Sequence, residues 1–198
     1  MIKGGPRLIL ASASPRRRRL LAEAGYAFEV VVPAVAELHG TEYTLREVTC
    51  GNALRKGLAV ARRHSDASVL AADTLVALEG RLIGKPADRA AATRLLRLLS
   101  GRTHQVATGV FIVHFRRRRS LLFSVLSQVV FKKLSDRMIQ DYLTTINPRD
   151  KAGGYAAQGP GRAIIARIIG STSNVIGLPL EKTRPALARF GLRRAARA

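Results

Sequence analysis

The chain has no tryptophan, a single cysteine and no apolar run near the roughly 20 residues that a membrane-spanning helix needs. Because Cys50 has no second cysteine to pair with, a disulfide within the chain is excluded. The N-terminus carries one lysine, then Gly-Gly-Pro and a short apolar run, which is too little for a signal peptide. We therefore expect a cytoplasmic protein with no membrane partner.

Motifs that identify several common enzyme classes are also missing. The sequence contains no P-loop, no Rossmann glycine fingerprint after its first predicted strand and no Gly-x-Ser-x-Gly nucleophile elbow. The histidines His39, His64, His104 and His114 lack the spacing of zinc ligands, and no second cysteine can join them. His104 is the histidine of most interest, and we predict a structural role for it.

Acidic residues are scarce, with 13 against 34 basic residues and a formal net charge of +21. This excess predicts non-specific attraction to polyanions. The arginines are spread through every segment rather than gathered in one tail, and few aromatic residues lie between them. The stacking platforms that bind single-stranded nucleic acid are therefore not evident. One run of basic residues, Arg116 to Arg119, is concentrated, and the sequence does not indicate a partner for it.

The pattern of apolar runs predicts an α/β protein with a mixed sheet, because strands alternate with helices and one β-hairpin is present. We predict strands at 8–11, 28–32, 68–78, 81–83, 103–115, 121–131 and 163–169, and helices at 15–24, 44–63, 88–99, 135–146 and 180–190. Gly51 and Gly57 predict a kinked or loose second helix. The length predicts one domain over residues 1–198, with a frayed basic tail at about 192–198.

The segment from Arg7 to Arg17 has the features of a phosphate-binding site. A short buried strand ends at two serines, and Ser14 is a good N-cap for a helix whose first residue is a proline. Arg16 and Arg17 then lie in the first helical turn, where cations oppose the helix dipole unless an anion binds there. The alternative is that Arg16 to Arg19 form an exposed, solvated face.

Four further residues stand out by their surroundings. Asp73 lies in the most apolar run of the chain, so it is either a strand-end cap or a site carboxylate that binds a metal or accepts a proton from water. Lys85 sits in a Gly-Lys-Pro turn, and Lys56 by itself is typical of an exposed helix lysine. Gln158 closes a glycine-rich loop, where its amide can read a base edge unless the loop is only a connection.

Taken in order, six segments of the chain resemble the Maf family (septum-formation-inhibitor-like proteins). The segments are Ser-Ala-Ser-Pro-Arg-Arg at 12–17, Ala-Asp-Thr at 72–74, Gly-Lys-Pro at 84–86, Leu-Ser-Gly-Arg-Thr-His-Gln-Val-Ala-Thr-Gly-Val at 99–110, Asp-Lys-Ala-Gly-Gly-Tyr-Ala-Ala-Gln-Gly at 150–159 and Ser-Asn-Val-Ile-Gly-Leu-Pro-Leu at 173–180. Each segment is weak evidence alone, but six in the family's order are specific, and they span essentially the whole chain.

The resemblance implies an ITPase-like (Maf/Ham1) fold, with a strongly twisted mixed sheet, flanking helices and two lobes around a central cleft. It implies hydrolysis of a nucleoside triphosphate between the α and β phosphates, with Mg²⁺ or Mn²⁺, and it allows a homodimer. Asp73 would accept the proton from water, and Asp73 with Glu37 would hold the metal. The implied substrate and specificity residues are Ser12, Arg16, Arg17, Glu37, Lys56, Thr74, Lys85 and Gln158. The loop at 154–159 resembles that of the branch acting on dTTP and UTP, and modified pyrimidine nucleotides are further candidate substrates.

Two departures from the family keep other functions open. Ala34 and Ala36 stand where the family usually carries acids, which leaves Glu37 alone and should weaken metal binding. One alternative is a pyrophosphatase for 7-methyl-GTP or a broad range of non-standard nucleotides, against which Gln158 argues. The other is a weakly catalytic nucleotide- or nucleic-acid-binding regulator, which the missing acids and the net charge favour.

Overall fold

One mixed sheet forms the centre of the computed structural model, which describes residues 6–38 and 42–194. Its strands are β1 (Leu8–Ala11), β2 (Glu29–Val30), β3 (Ser68–Leu78), β4 (Arg81–Ile83), β5 (Thr103–His114), β6 (Arg119–Phe131) and β7 (Ile165–Ile169). Their order is β2-β1-β3-β5-β6-β7, and β4 pairs with β3. Pairing is parallel on both sides of β1 and antiparallel elsewhere, which confirms the mixed sheet.

Helices flank this sheet, and four of them begin at the predicted caps Ser14, Thr44, Asp88 and Ser135. They are α1 (Pro15–Glu23), α2 (Leu45–Ala61), α3 (Arg89–Leu99), α4 (Asp136–Thr145), α5 (Thr172–Ile176) and α6 (Leu180–Arg189). The Ser14 hydroxyl accepts a hydrogen bond from the Arg17 N–H, and Thr44 and Glu47 form a capping box. Short 3-10 turns occupy most of the glycine-rich loop, at Ala152–Gly154 and Gly159–Ile164. The sequence patterns did not predict α5.

The core divides into two lobes because the long strands β3 and β5 are covered by different helices along their length. Near β1 and the start of β3, one face of the sheet packs on α2 through residues such as Ile9 and Val69. The opposite face packs on α1 and α6 through residues such as Leu10 and Leu70. At the other end, residues such as Val76 pack against α3 and α4. The strand positions between these lobes are therefore free to line a cleft.

Helix α2 runs without interruption for 17 residues, and neither glycine breaks it. A Cβ added at Gly57 would lie 2.5 Å from the Phe111 ring, and one at Gly51 would lie 2.8 Å from the Leu38 side chain. These glycines therefore serve close packing of α2 against the sheet and the loop before it, which offsets their low helix propensity.

Three other expectations either differ from the structure or concern residues outside its described part. The second strand is only the two residues of β2, shorter than predicted. The tail was expected to fray from residue 192, but Leu192 is buried against the α6 side of the core, and residues 195–198 lie outside the described part. His39 also lies outside it. No helix within the described ranges is both long and apolar enough to cross a membrane.

Candidate active site

A cleft of about 760 Å³ opens between the two lobes, and every site residue predicted from the sequence lines it. These residues are Ser12, Arg16, Arg17, Glu37, Lys56, Asp73, Thr74, Lys85 and Gln158. They come from the end of β1, the start of α1, the loop before α2, α2 itself, β3, the turn after β4 and the glycine-rich loop. The fold thus brings residues from distant parts of the sequence to one cavity, while their chemical roles stay predictions.

Asp73 is a buried carboxylate in the wall of this cleft, only 4% exposed. Its Oδ1 atom accepts a hydrogen bond from Lys56 Nζ at 2.6 Å, and its Oδ2 atom accepts one from Asn52 Nδ2 at 3.0 Å. The ammonium and the amide supply the compensation that a buried charge requires. Asp73 lies in the middle of β3, where it pairs with Gly109 of β5. The alternative that it caps the end of a strand is therefore wrong.

Lys56 joins the two carboxylates of the site. Its Nζ atom lies 2.6 Å from Asp73 Oδ1 and 2.6 Å from Glu37 Oε1. The residue is buried, so the expectation of an exposed helix lysine is wrong. Lys56 lies on the face of α2 that packs on the sheet, and this burial was not readable from its position in the sequence alone.

Asn52 is a site residue that the sequence analysis missed. Besides contacting Asp73, its amide accepts a hydrogen bond from the Leu38 N–H at 2.6 Å and donates one to the Leu38 carbonyl at 3.3 Å. Leu38 follows Glu37, so Asn52 fastens the loop that carries Glu37 while it orients Asp73. The available signal was its spacing, because Asn52 lies one turn before Lys56 on the same helix face.

A glycine opposite Asp73 allows α2 to come this close. A Cβ at Gly109 would lie 2.4 Å from the backbone carbonyl of Thr49 and 2.6 Å from the Cys50 nitrogen. Any side chain at this position of β5 would push α2 away from the sheet. The contacts of Asp73 with Asn52 and Lys56 therefore depend on a glycine in the neighbouring strand.

Arg17 links the first turn of α1 to three other parts of the cleft wall. It donates to the Thr74 hydroxyl at 2.9 Å, to the Gly177 carbonyl at 2.9 Å and to the Ser12 hydroxyl at 3.3 Å. Burial lowers the pKa of Arg17 from its usual value, against the opposing effect of Asp73. Each of the three side-chain nitrogens of this half-buried arginine donates a hydrogen bond, so Arg17 positions its neighbours as well as carrying charge.

Arg16 reaches across the cleft to the glycine-rich loop. It forms an ion pair with Asp150 Oδ2 at 2.6 Å and donates to the Asp150 carbonyl at 3.0 Å. Partial burial acts to raise the pKa of Asp150, but the hydrogen bond from Lys151 and the charge of Arg16 outweigh it and lower the pKa. Arg16 and Arg17 are therefore not the solvated face considered above, although Arg18 and Arg19 are exposed.

Lys85 and Gln158 also line the cleft. Lys85 is exposed, and within the described ranges the structure shows no hydrogen bond or ion pair to its side chain. Gln158 is partly buried and directly precedes the 3-10 turn at Gly159–Ile164. Both side chains are thus placed to meet a ligand that enters from solvent.

His104 is enclosed in the lobe beside α3 and α4, which agrees with its predicted structural role. Its Nε2 atom lies 2.7 Å from the Tyr155 hydroxyl, and its ring packs edge-on against Phe131 and Tyr155. Burial lowers the pKa of His104 to about 4, so the imidazole is neutral at pH 7. Burial likewise raises the pKa of Tyr155. Through Tyr155, the pair fastens the glycine-rich loop to β5.

Two carboxylates of the cleft, Asp73 and Glu37, are the candidate ligands for a divalent cation. Among the described residues, no three His, Cys, Asp or Glu side chains are grouped closely enough to hold a metal ion. Asp73 and Glu37 nevertheless both contact one cationic atom, Lys56 Nζ, so two carboxylates already surround a position of positive charge. Mg²⁺ is commonly bound by one or two carboxylates plus substrate phosphates. The donor set fits such a cation when phosphate oxygens complete the site.

Comparison with known protein families identifies the family to which the chain belongs. The model of the family described as "Maf-like protein" matches residues 7–190. The chain belongs to the Maf family. The match spans both lobes and includes every predicted site residue, so the resemblance noted from the six sequence segments is confirmed.

Maf relatives of high similarity carry a functional name. A protein of Symbiobacterium thermophilum named dTTP/UTP pyrophosphatase is 47% identical over 184 residues, covering 93% of this chain and 94% of that protein. Proteins of the same name from Akkermansia muciniphila and Bacillus anthracis are 43% and 40% identical, covering 95% and 94% of this chain and 98% and 96% of those proteins.

A solved structure of lower sequence similarity supports the expected fold. The structure of a HAM1 protein from Coxiella burnetii matches with a TM-score of 0.52 and 14% identity, covering 93% of this chain and 99% of that one. At this identity the likeness concerns the fold alone. The predicted ITPase-like (Maf/Ham1) arrangement, a mixed sheet with flanking helices, is thereby confirmed.

Proposed function

We propose that this chain hydrolyses nucleoside triphosphates between the α and β phosphates, with dTTP and UTP as preferred substrates, releasing the monophosphate and pyrophosphate. The observation that carries the proposal is the buried Asp73, held by Lys56 and Asn52 in a cleft that also contains the cationic start of α1. The three relatives named dTTP/UTP pyrophosphatase support the choice of reaction and base.

The start of α1 and Lys85 would bind the triphosphate. The positive end of the helix dipole and the guanidinium groups of Arg16 and Arg17 favour an anion at this point. Lys85 supplies a further cation that the described protein groups do not neutralise. Arg16 is held by Asp150, so a bound phosphate would compete with that carboxylate for the same guanidinium.

Asp73 would accept a proton from the attacking water. The water oxygen forms a bond to the α-phosphorus, the bond between that phosphorus and the bridging oxygen breaks, and pyrophosphate leaves with the bond's electron pair. The proton of the water passes to Asp73, whose orientation Asn52 fixes. Lys56 lies beside the same carboxylate, where its ammonium would oppose the negative charge that develops on the phosphate oxygens.

A divalent cation would be held by Asp73 and Glu37 together with phosphate oxygens, where it would neutralise phosphate charge. Two carboxylates are a donor set that suits Mg²⁺ or Mn²⁺ when substrate phosphates complete it. Since Ala34 and Ala36 supply no carboxylates, we expect weak cation binding in the absence of nucleotide. The cation and the triphosphate should therefore bind together.

Selection of the base would fall to Gln158, Thr74 and Arg16. Gln158 is a cleft-lining side chain that can both donate and accept, as recognition of a pyrimidine edge requires. The Thr74 hydroxyl is already bonded to Arg17 and lies 2.9 Å from the Thr108 hydroxyl, so it would act by setting the shape of the wall. Modified pyrimidine triphosphates that keep the same edge are further substrates under this proposal.

The test is pyrophosphate release from a panel of nucleoside triphosphates, with Mg²⁺ or Mn²⁺, by the wild type and two matched variants. Asp73→Asn removes the proton acceptor and should lower turnover about a thousandfold. Asp66→Asn makes the same chemical change at an exposed ion pair with Arg7 and should leave turnover unchanged. Circular dichroism of all three proteins separates loss of catalysis from loss of folding.

Selective turnover of dTTP and UTP that only Asp73→Asn abolishes would support the proposal in full. Preference for 7-methyl-GTP or for purine analogues would retain the reaction and replace the substrate. No turnover of any triphosphate by folded wild-type protein would overturn the enzyme assignment in favour of a binding role.

A further inference from the structure

A second cavity, of about 250 Å³, lies at the tip of the β5–β6 hairpin where α6 ends. Its lining residues are His114, Arg117, Arg119, Ala188, Arg189, Phe190 and Gly191. His114 pairs with Ser68, five residues along β3 from Asp73, which places this cavity about 17 Å from the catalytic carboxylate. The proposed hydrolysis makes no use of it, and it includes part of the basic run singled out in the sequence.

The cavity is lined by charge of one sign. Three arginines line it, and its lining includes no aspartate or glutamate. Arg119 lies over the Phe190 ring, with its guanidinium carbon 5.2 Å from the ring centre, so this cation is held in place without an acidic partner. The last carbonyls of α6 accept hydrogen bonds from Phe190, Gly191 and Leu192, so they are satisfied locally.

A buried histidine gives the cavity a polar group in need of a partner. His114 is 7% exposed, and its Nδ1 atom has no hydrogen-bond partner within the described residues. Burial lowers the pKa of His114, and the positive charge of Arg117 lowers it further, against the opposing charge of Asp66. A neutral imidazole carries one N–H, from which an anion in the cavity could accept a hydrogen bond if the ring turned towards it.

We propose that this cavity binds a small phosphate anion, namely inorganic phosphate or diphosphate. Guanidinium forks match phosphate oxygens, and no carboxylate lines the cavity to compete for them. The volume is below the range typical of sites for drug-sized ligands, so it suits one or two phosphate groups rather than a whole nucleotide. The proposal is independent of catalysis in the cleft.

Calorimetric titration with inorganic pyrophosphate, without divalent cation, tests the proposal on the full chain. Wild-type protein should show binding beyond that at the cleft, and Arg117→Ala/Arg189→Ala should weaken this additional binding at least tenfold. Arg94→Ala/Arg137→Ala removes the same charge from the exposed faces of α3 and α4 and should leave both binding events intact. Nucleotide turnover, where present, should be the same in all three proteins.

A single pyrophosphate site that Lys85→Ala abolishes and Arg117→Ala/Arg189→Ala leaves unchanged would overturn the proposal. A second outcome would also overturn it. If Arg117→Ala/Arg189→Ala lost binding to a single-stranded oligonucleotide but kept binding to pyrophosphate, the arginines would serve a phosphodiester backbone instead. A measurement on the unmutated protein completes the test. The His114 ring resonances should shift on addition of pyrophosphate, and an unchanged His114 spectrum at saturation would contradict the proposed site.

Discussion

The two cavities of this protein use positive charge in opposite ways. In the cleft, Lys56 contacts two carboxylates and Arg16 contacts a third, so most cations have fixed partners and fixed positions. At the hairpin tip, Arg117 and Arg189 line a cavity without any carboxylate. Paired charges define the geometry that proton transfer requires, whereas unpaired charges provide attraction without a base. The first arrangement suits catalysis and the second suits binding alone.

The contrast also shows which part of the net charge of +21 bears on function. Five cations and three carboxylates line the cleft, so most of the excess positive charge lies outside it, including at the hairpin tip. Variants that remove one cation at a time from each region should therefore have very different effects.

The largest effect is expected for Lys56→Met. Removing the ammonium leaves the buried Asp73 facing Glu37 with no cation between them, and breaking a buried pair in this way costs about 3–5 kcal/mol. Urea unfolding should show this loss of stability, and turnover should fall with it. Lys182→Met, an exposed lysine of α6, is the matched control and should unfold as the wild type does. Equal stability of the two variants would contradict the ion-pair assignment.

A smaller effect is expected from the buried pair of His104 and Tyr155. Burial holds the pKa of His104 at about 4, below its usual 6.5, so between these values the unfolded chain binds a proton that the folded chain does not. This stability is complete above pH 6.5 and is lost as the pH falls towards 4, which amounts to about 2 kcal/mol between pH 7 and pH 5.

The double variant His104→Phe/Tyr155→Phe removes both hydrogen-bonding partners together, so neither is left unpaired. Its stability should change less than that of the wild type between pH 7 and pH 5, as measured by urea unfolding at each pH. The same pH dependence in both proteins would show that His104 is not the group responsible.

Asn52→Leu tests the positioning of Asp73, and we expect it to lower activity less than Lys56→Met does. The variant keeps a buried side chain of similar size but cannot donate to Asp73 or hold the Leu38 backbone. We expect kcat to fall about tenfold to a hundredfold, with KM changed less, because misplacing a catalytic group affects the transition state most. Cys50→Ala, on the same helix with a half-buried side chain, should keep full turnover. Equal kcat values for the two variants would assign Asn52 a purely structural role.

The limits of sequence reasoning are visible in the same residues. The cap of α1, the bounds of β3 and β4 and the capping box of α2 depend on local chemistry, and all were predicted correctly. The cleft residues were assembled through family resemblance. The burial of Lys56 and the double role of Asn52 depend instead on how closely α2 approaches the sheet. That distance depends on Gly109, far away in sequence, and no local pattern encodes it.

The smallest effect on stability is expected at the hairpin tip, for the same Arg117→Ala/Arg189→Ala variant. Both side chains are exposed and neither is ion-paired within the described residues, so their removal should leave the urea midpoint at its wild-type value at moderate salt. At low salt the midpoint should rise slightly, because like charges are removed, and this rise should disappear at high salt. A midpoint lowered at every salt concentration would show that the tip arginines hold the fold together, and the contrast between the two cavities would then fail.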